Sequence, residues 1–262
     1  MMNLNGGAVI ITGGKGMLGS QYTEAIIEIN GYPISLDINN ILNNYTKVEA
    51  IIKCDITNEL DIINALKYIK SINKPIVGLI NNAAIDPKFE KDSPNSPKSR
   101  LENYSREVWD KEIAVGLTGA FLCTKVFGAE MAKNGKGSII NISSVLGVIA
   151  PNQSLYKDES KSEEMQNVKP ISYSVIKHAI IGLTRYTSTY WSSKNVRCNA
   201  LAPGGVYNNH SDEFVSKLSK YIPLGRMAKK DEYNSAIKFL ISDASSFMTG
   251  SVLTIDGGQS CW

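Results

Sequence analysis

Short, unbroken runs of apolar and β-branched residues recur along the chain, each followed by a longer stretch with helical spacing. The runs lie at residues 8–12, 33–37, 50–54, 76–80, 137–143, 196–201 and 252–256. Helical patterns occupy 17–30, 59–71, 109–133, 173–193 and 230–242. A strand with one wet face alternates polar and apolar residues; an unbroken apolar strand is covered on both faces. Strand–helix alternation of this kind predicts the α/β class, a doubly wound parallel sheet of seven strands. A chain of 262 residues commonly forms one such unit, so a single domain over 1–262 is expected. Two segments, 86–106 and 151–172, are polar and too long for compact connections, and are read as insertions on the substrate side.

Composition excludes several functions. Lys plus Arg is 28 and Asp plus Glu is 25, a net charge of +3. That balance argues against nucleic acid or an anionic membrane as partner. Lys229 and Lys230 sit beside Asp231 and Glu232 and read as a solvated helix start. The four cysteines form no Cys-x-x-Cys pair, and two histidines give no zinc spacing, so no metal is expected. Cys123 and Cys198 fall in apolar patterns, which points to buried thiols in a reducing compartment. The first apolar run is too short for a secretory core, and no sequence run approaches the about 20 apolar residues of a membrane span. The expected location is the cytoplasm.

Between the first strand and first helix lies Thr12-Gly13-Gly14-Lys15-Gly16-Met17-Leu18-Gly19. Gly14-x-Gly16-x-x-Gly19 is a dinucleotide fingerprint, here with the strand before and the helix after that give it meaning. The turn must be sharp, must let backbone approach a pyrophosphate, and must pack a helix closely on the sheet. The free N–H groups and partial positive charge at the helix start then hold the phosphates. Gly13, Gly16, Met17, Leu18 and Gly19 are therefore candidate cofactor residues in a Rossmann-type fold. Asp37 closes the second strand, 18 residues after Gly19. A carboxylate there can accept hydrogen bonds from adenosine ribose and repel the extra phosphate of NADP, so the expected cofactor is NAD in preference to NADP. A competing role for Asp37 is to cap the next turn with Asn39 and Asn40. Lys15 could favour NADP, but is read as a solvated loop charge.

Tyr173-Ser-Val-Ile-Lys177 opens a helix, and a spacing of four places both side chains on one face. A nearby ammonium favours the phenolate and brings tyrosine toward the working range of an acid–base group. Ser144 lies just past the preceding strand, where parallel sheets place ligands, and its hydroxyl can bind a reacting oxygen.

At this point the chain resembles the short-chain dehydrogenase/reductase family over nearly its whole length. The matching features are Thr12-Gly13 through Gly19, Asp55, Asn81-Asn82-Ala83-Ala84, Trp109-Asp110, Asn141-Ile-Ser-Ser144, Tyr173-x-x-x-Lys177, Asn199, Pro203-Gly204, Pro223-Leu-Gly-Arg226, and Thr249-Gly250 through Asp256-Gly257-Gly258. The resemblance implies Ser144 polarising the substrate oxygen, Tyr173 exchanging its proton, and Lys177 holding the nicotinamide ribose. It implies Asp55 and Ile56 near the adenine, Asn82 and Ala83 beside the cofactor, and Pro203, Gly204 and Val206 near the carboxamide. It also implies a small-molecule substrate and a homodimer or homotetramer built on the helices at 109–133 and from Tyr173.

The departures are specific. The glycine spacing resembles the family's extended branch, whereas the carboxyl-terminal half does not. Gly116 stands where the family's catalytic asparagine is expected. Ser144 and Tyr173 are 29 residues apart, about twice the family's usual interval, and segment 151–172 is the surplus. Tyr156 lies nearer to Ser144, but its fourth following residue is Ser160, so Tyr173 is preferred. Asn208 replaces a frequent threonine. Segment 151–172 is polar, is expected to lack a core of its own, and is read as a lid offering Asn152, Gln153, Ser154 and Tyr156 to a hydroxyl-rich substrate. Within the family, residues 147–151, the inserted segment and residues 202–208 are similar to dehydrogenases of flagellin-glycan and surface-sugar pathways. The expected function is hydride transfer between nicotinamide and a hydroxyl or ketone carbon of a small polar metabolite, read as a sugar or sugar derivative. The alternatives are an acyl-carrier-protein ketoreductase, with Lys88, Lys91, Lys98 and Arg100 as its basic patch, and a cofactor-binding sensor without turnover.

Overall fold

The computed structural model describes residues 2–39, 50–85 and 97–262. Seven parallel strands form one sheet in the order β3-β2-β1-β4-β5-β6-β7. They are β1 (Ala8–Thr12), β2 (Tyr32–Asp37), β3 (Ala50–Lys53), β4 (Ile76–Asn81), β5 (Gly137–Ile142), β6 (Val196–Pro203) and β7 (Val252–Ile255). The order reverses between β1 and β4. In such a sheet the ligand crevice lies outside the carboxyl ends of the strands at this switch point.

The unbroken apolar strands are covered on both faces, as expected. Ala8 and Ile10 of β1 point into one core, with Phe127 and Met131. Val9 and Ile11 point into the other, with Tyr22, Ile26 and Ile237. The first layer comprises α2 (Glu59–Ser71) and α3 (Arg106–Asn134), with α4 (Ile171–Tyr190) beside β6. The second comprises α1 (Met17–Glu28) and α6 (Asn234–Ile241), which pack on each other.

Several boundaries differ from the sequence reading. Helix α3 starts at Arg106, three residues before the expected position, because Ser105 caps it by accepting from the Val108 N–H. It contains two π-helical turns, Ala114–Thr118 and Thr124–Gly128. Helix α3 is long and apolar enough to cross a membrane by composition, but half of its most apolar window is buried against the rest of the chain. Helix α6 starts at Asn234, and Lys229 and Lys230 lie exposed in the turn before it. An eight-residue helix α5 (Asp212–Ser219) was not expected. Its signal was nonetheless present: Ser211 as cap, then Asp212 and Glu213 in the first turn.

Segment 151–172 does reach a core. Leu155 is buried with Leu218, Ile222 and Met227, while Tyr156 packs against Phe214 of α5. Gln166 is buried and closes the segment on itself: its Oε1 accepts from Asp158 N, and its Nε2 donates to the carbonyls of Asp158 and Lys161, each at 2.8 Å. Of segment 86–106, residues 86–96 lie outside the described residues; the remainder forms a short 3₁₀ turn, Leu101–Asn103, and the start of α3.

Candidate active site

The carboxyl edge of the sheet opens into a cleft of about 1050 Å³. Its floor at one end is the glycine turn. Gly13 has φ +61°, a conformation that side chains rarely adopt, and a Cβ there would also press on Ala83 at 3.1 Å. Gly19 does not line the cleft; a Cβ on it would collide with backbone of Gly13 and Gly14, so its part is to bring α1 close. Gly16 caps α1 with no side-chain hydrogen bond, which leaves the first-turn N–H groups facing this space. The turn is braced by Thr12, whose Oγ1 accepts from the backbone N–H of Asn82 and Ala83 at 3.0 Å. The Asn82 amide donates to the carbonyls of Thr12 and Gly13. Such a turn and uncapped helix start suit the pyrophosphate of a dinucleotide.

Asp37 closes β2 at the same end. Its carboxylate accepts from Lys15 N at 3.3 Å and from Asn39 N at 3.1 Å. The turn-capping role toward Asn39 is therefore present beside a cleft-facing position; Asn40 lies outside the described residues. The Lys15 ammonium donates to Asn39 O at 3.2 Å in an exposed position, and the residue lines the cleft. Asp55 and Ile56 also line it, with the Asp55 carboxylate accepting from both N–H and hydroxyl of Thr57. Cys54 borders this end, its thiol pushed up to about 12 by burial first and then by Asp61 and Asp55.

At the opposite end stand Ser144, Tyr173 and Lys177. The catalytic-type pair projects from the first turns of α4. Lys177 is buried and donates to Ile142 O at 2.8 Å, with its ammonium 5.7 Å from the centre of the Tyr173 ring. Ser144 accepts from Leu146 N at 3.2 Å. A hydroxyl that accepts from backbone still has its own hydrogen to donate to a ligand. Its neighbour Ser143 donates to Lys177 O at 2.7 Å, which locks the turn after β5 onto α4. Pro203, Gly204 and Val206 line the cleft across from α4. Tyr233, pushed up to about 12 chiefly by burial, donates to Gly204 O at 3.3 Å. Below it Arg226 makes two hydrogen bonds to Glu232 and holds that carboxyl down at about 2.

The structure brings every expected cofactor and catalytic residue to this one cleft except Gly19. Met17 and Leu18 line it beside Gly16, and Ala83 beside Asn82. Of the expected lid groups, Asn152 and Tyr156 line it, but Gln153 and Ser154 do not. The Gln153 Oε1 accepts from Lys169 N, and the Ser154 hydroxyl donates to Asn152 Oδ1. Sequence reasoning missed Lys169, whose ammonium sits 4.0 Å from the centre of the Tyr173 ring, and also Lys111 and His210. A lysine four residues before Tyr173 was visible, but nothing in the pattern showed that it folds back over the ring. No cluster of metal-ligating side chains occurs among the described residues.

Gly116 is buried within the first π-helical turn of α3, and a Cβ there would lie 2.8 Å from Ile176 Cγ2. Ile176 immediately precedes Lys177 on α4, so position 116 is closed by packing. Gly116→Ala would gain about 1 kcal/mol of helix propensity, which partly offsets a similar cost of crowding. Gly116→Asn lacks that gain and adds more atoms. It is expected to lose about 1–3 kcal/mol of stability in urea denaturation and to raise turnover not at all. Higher activity at unchanged stability would refute this account.

Comparison with known proteins places the geometry in context. Residues 37–260 match a family model described as enoyl-(acyl carrier protein) reductase. The NAD-dependent glycerol dehydrogenase of Listeria innocua is 27% identical, over 98% of this chain and 94% of its own. The 2,5-dichloro-2,5-cyclohexadiene-1,4-diol dehydrogenase of Sphingobium indicum is 30% identical, over 98% of each chain. The crystal structure of a short-chain dehydrogenase from Leptospira borgpetersenii with bound NAD+ is 30% identical, covers 98% of this chain and 94% of its own, and superposes with a TM-score of 0.85.

Proposed function

This chain belongs to the short-chain dehydrogenase/reductase family and is an NAD(P)-dependent oxidoreductase, and from that premise we propose that it interconverts a hydroxyl and a ketone on a sugar or sugar derivative. The observation that carries the reading is the convergence of Ser144, Tyr173 and Lys177 at one end of a cleft whose other end is a dinucleotide turn. Asn152, Tyr156, Asn208 and His210 line the substrate end and offer hydrogen bonds to a hydroxyl-rich molecule. In this reading segment 151–172 covers the substrate, within a single domain spanning 1–262. A place in surface-glycan synthesis rests on residues 147–151, the inserted segment and residues 202–208. The buried thiols and the buried apolar face of α3 support a cytoplasmic location.

Each residue has a distinct part. Ser144 donates its hydroxyl hydrogen to the reacting oxygen. Tyr173 takes the proton from that oxygen during oxidation and returns it during reduction. Lys177, pinned by Ile142 O, holds positive charge one helical turn from the phenol and favours its ionised form. A nicotinamide cofactor held by the glycine turn, Asn82 and Lys177 would supply the hydride acceptor for oxidation and the hydride donor for reduction. An acyl-carrier ketoreductase is the weaker reading. Of its expected basic patch, Lys88 and Lys91 lie outside the described residues, and Arg100, described together with Lys98, is bonded to Glu102 and to Glu163 O.

Tyr173→Phe is expected to lower kcat at least about 100-fold while NADH affinity stays within about twofold, because the phenol acts on substrate oxygen. Tyr156→Phe should cost far less. Steady-state rates and NADH fluorescence titration measure both, and the reverse order would assign the proton transfer to Tyr156.

For the cofactor we infer a preference for NAD, supported by the Asp37 carboxylate at the end of β2. NADH should bind at least about tenfold more tightly than NADPH, and Asp37→Ser should narrow the gap. Tighter NADPH binding by the unaltered protein would shift the assignment to Lys15.

We further infer a homodimer or homotetramer. Val108 and Phe121 on α3, with Val175, Tyr186 and Tyr190 on α4, form apolar exposed positions on the two helices expected to meet a second copy. Light scattering at micromolar concentration should give at least twice the chain mass; a monomer would contradict the inference.

A further inference from the structure

Helices α3 and α4 meet along two matched rows of side chains. Glu112, Gly116 and Ala120 form one row and Ser172, Ile176 and Ile180 the other, each spaced by four. Ile176 and Ile180 pack with Ala120, and Gly116 lets Ile176 come close. Apolar contact is non-directional, so this part of the seam fixes neither the sliding nor the rotation of α4. The polar end of the seam fixes both. Glu112 is buried, and its Oε2 accepts from Tyr104 OH at 2.5 Å and from Ser172 Oγ; the two hydroxyl oxygens lie 2.8 Å apart. We propose that Glu112 is a positioning residue: with Ser172 and Tyr104 it latches the first turn of α4 in the rotation that points Tyr173 into the cleft. The proposal rests on the reading that this cleft interconverts an alcohol and a ketone with Tyr173 exchanging the proton.

Ser172 and Tyr173 are neighbours, so their side chains leave α4 about 100° apart. Holding Ser172 against α3 therefore sets the direction of Tyr173, which lines the cleft while Ser172, Glu112 and Tyr104 do not. Lys177 lies one turn beyond Tyr173 on the same side of α4 and turns with it. The start of α4 is not fastened by a cap. Its N-cap is Pro170, with no side-chain hydrogen bond, and its first turn carries no acidic residue. A buried polar group that is paired specifies one arrangement, because sliding or rotating the seam would leave it desolvated and unpaired.

The third partner is held independently of α4. Tyr104 follows the 3₁₀ turn Leu101–Asn103 and precedes Ser105, the cap of α3. Burial first, and then the bond to Glu112, pushes its phenol up to about 12, so it stays protonated near neutral pH and donates. The chain just before it is tied to segment 151–172. Arg100 Nη1 donates to Glu163 O at 2.6 Å, and Ser99 Oγ donates to Asn167 Oδ1 at 3.3 Å and accepts from Val168 N at 3.2 Å. The described part of one insertion thus braces the end of the other, and both converge on the base of the catalytic helix.

Four variants test the latch. Ser172→Ala and Tyr104→Phe each remove one oxygen from the contact and keep its packing. Glu112→Leu removes the acceptor, whereas Glu112→Gln keeps an acceptor oxygen for both hydroxyls. Rates are measured for reduction of dihydroxyacetone with NADH and for oxidation of glycerol, xylitol and glucitol with NAD+. With whichever probe the unaltered protein turns over, Ser172→Ala and Glu112→Leu should lower kcat about tenfold or more, with KM and NADH affinity within about twofold. Tyr104→Phe should lose less, and Glu112→Gln should keep kcat within about threefold of the unaltered protein. Hydrogen exchange in the NADH complex of Ser172→Ala should quicken in residues 171–178 and not in β5 or β6. Where Glu112→Leu fails to fold, Ser172→Ala carries the test. Unchanged kcat in Ser172→Ala, as full a loss in Glu112→Gln as in Glu112→Leu, or exchange that quickens across the whole sheet overturns the proposal. Failure of the unaltered protein to turn over any probe counts against the alcohol–ketone reading. The latch is then judged on exchange alone: quickening confined to 171–178 sustains it, and none there overturns it.

Discussion

The side-chain amide of Asn141 ties the active site together. Its Oδ1 accepts from Asn81 Nδ2 at 2.8 Å, and its Nδ2 donates to Thr184 Oγ1 at 2.9 Å. Asn81 in turn donates to Thr124 Oγ1 at 3.0 Å. Two adjacent strands, the long helix α3 and the catalytic helix α4 thus meet at one fully buried polar group. Buried polar groups are costly when unpaired and specifying when paired, so this network fixes where α4 lies across the strand ends. Two residues beyond Asn141, Ser143 bonds the backbone of Lys177, and Ser144 enters the cleft. The position of the reacting groups follows from packing beneath them.

Much of this was legible in the sequence because its signals are local. The strands announce themselves as unbroken apolar runs, and the turn from Gly13 to Gly19 has a spacing that few other structures need. Tyr173 and Lys177 share a face by helical arithmetic alone. The less legible features depend on contacts between distant segments. The closure of the position at Gly116 is a contact with Ile176, 60 residues away. The approach of Lys169 to Tyr173 requires Ser99 and Gln153 to hold the intervening chain. The polar composition of segment 151–172 hid the one leucine, Leu155, that roots it in a small core with α5.

The same logic explains why the two ends of the cleft differ in how they are built. The dinucleotide end relies on backbone: an uncapped helix start, a positive-φ glycine and the carbonyls that orient Asn82. The proposed substrate end relies on side chains brought in by separate segments, namely Ser144 from the turn after β5, Tyr156 from segment 151–172, Tyr173 from α4, and His210 from the approach to α5. A backbone-built subsite tolerates little change in shape. A side-chain-built one can change its chemistry by single substitutions while the sheet beneath it stays the same.

Helix α3 carries a further consequence. A π-helical turn holds one residue more than the α-helical ladder would, and one residue corresponds to about 100° around the axis. Two such turns lie along the helix, at Ala114–Thr118 and Thr124–Gly128. The buried positions Glu112, Gly116, Ala120, Cys123, Phe127 and Met131 recur every three to four residues, so one face runs from the start of α4 to the sheet. Residue count, independent of residue identity, therefore sets which way the amino-terminal end of the helix faces. Deleting one residue between 114 and 118 would leave the composition nearly intact and swing Lys111 and Glu112 about a quarter turn away from the catalytic helix.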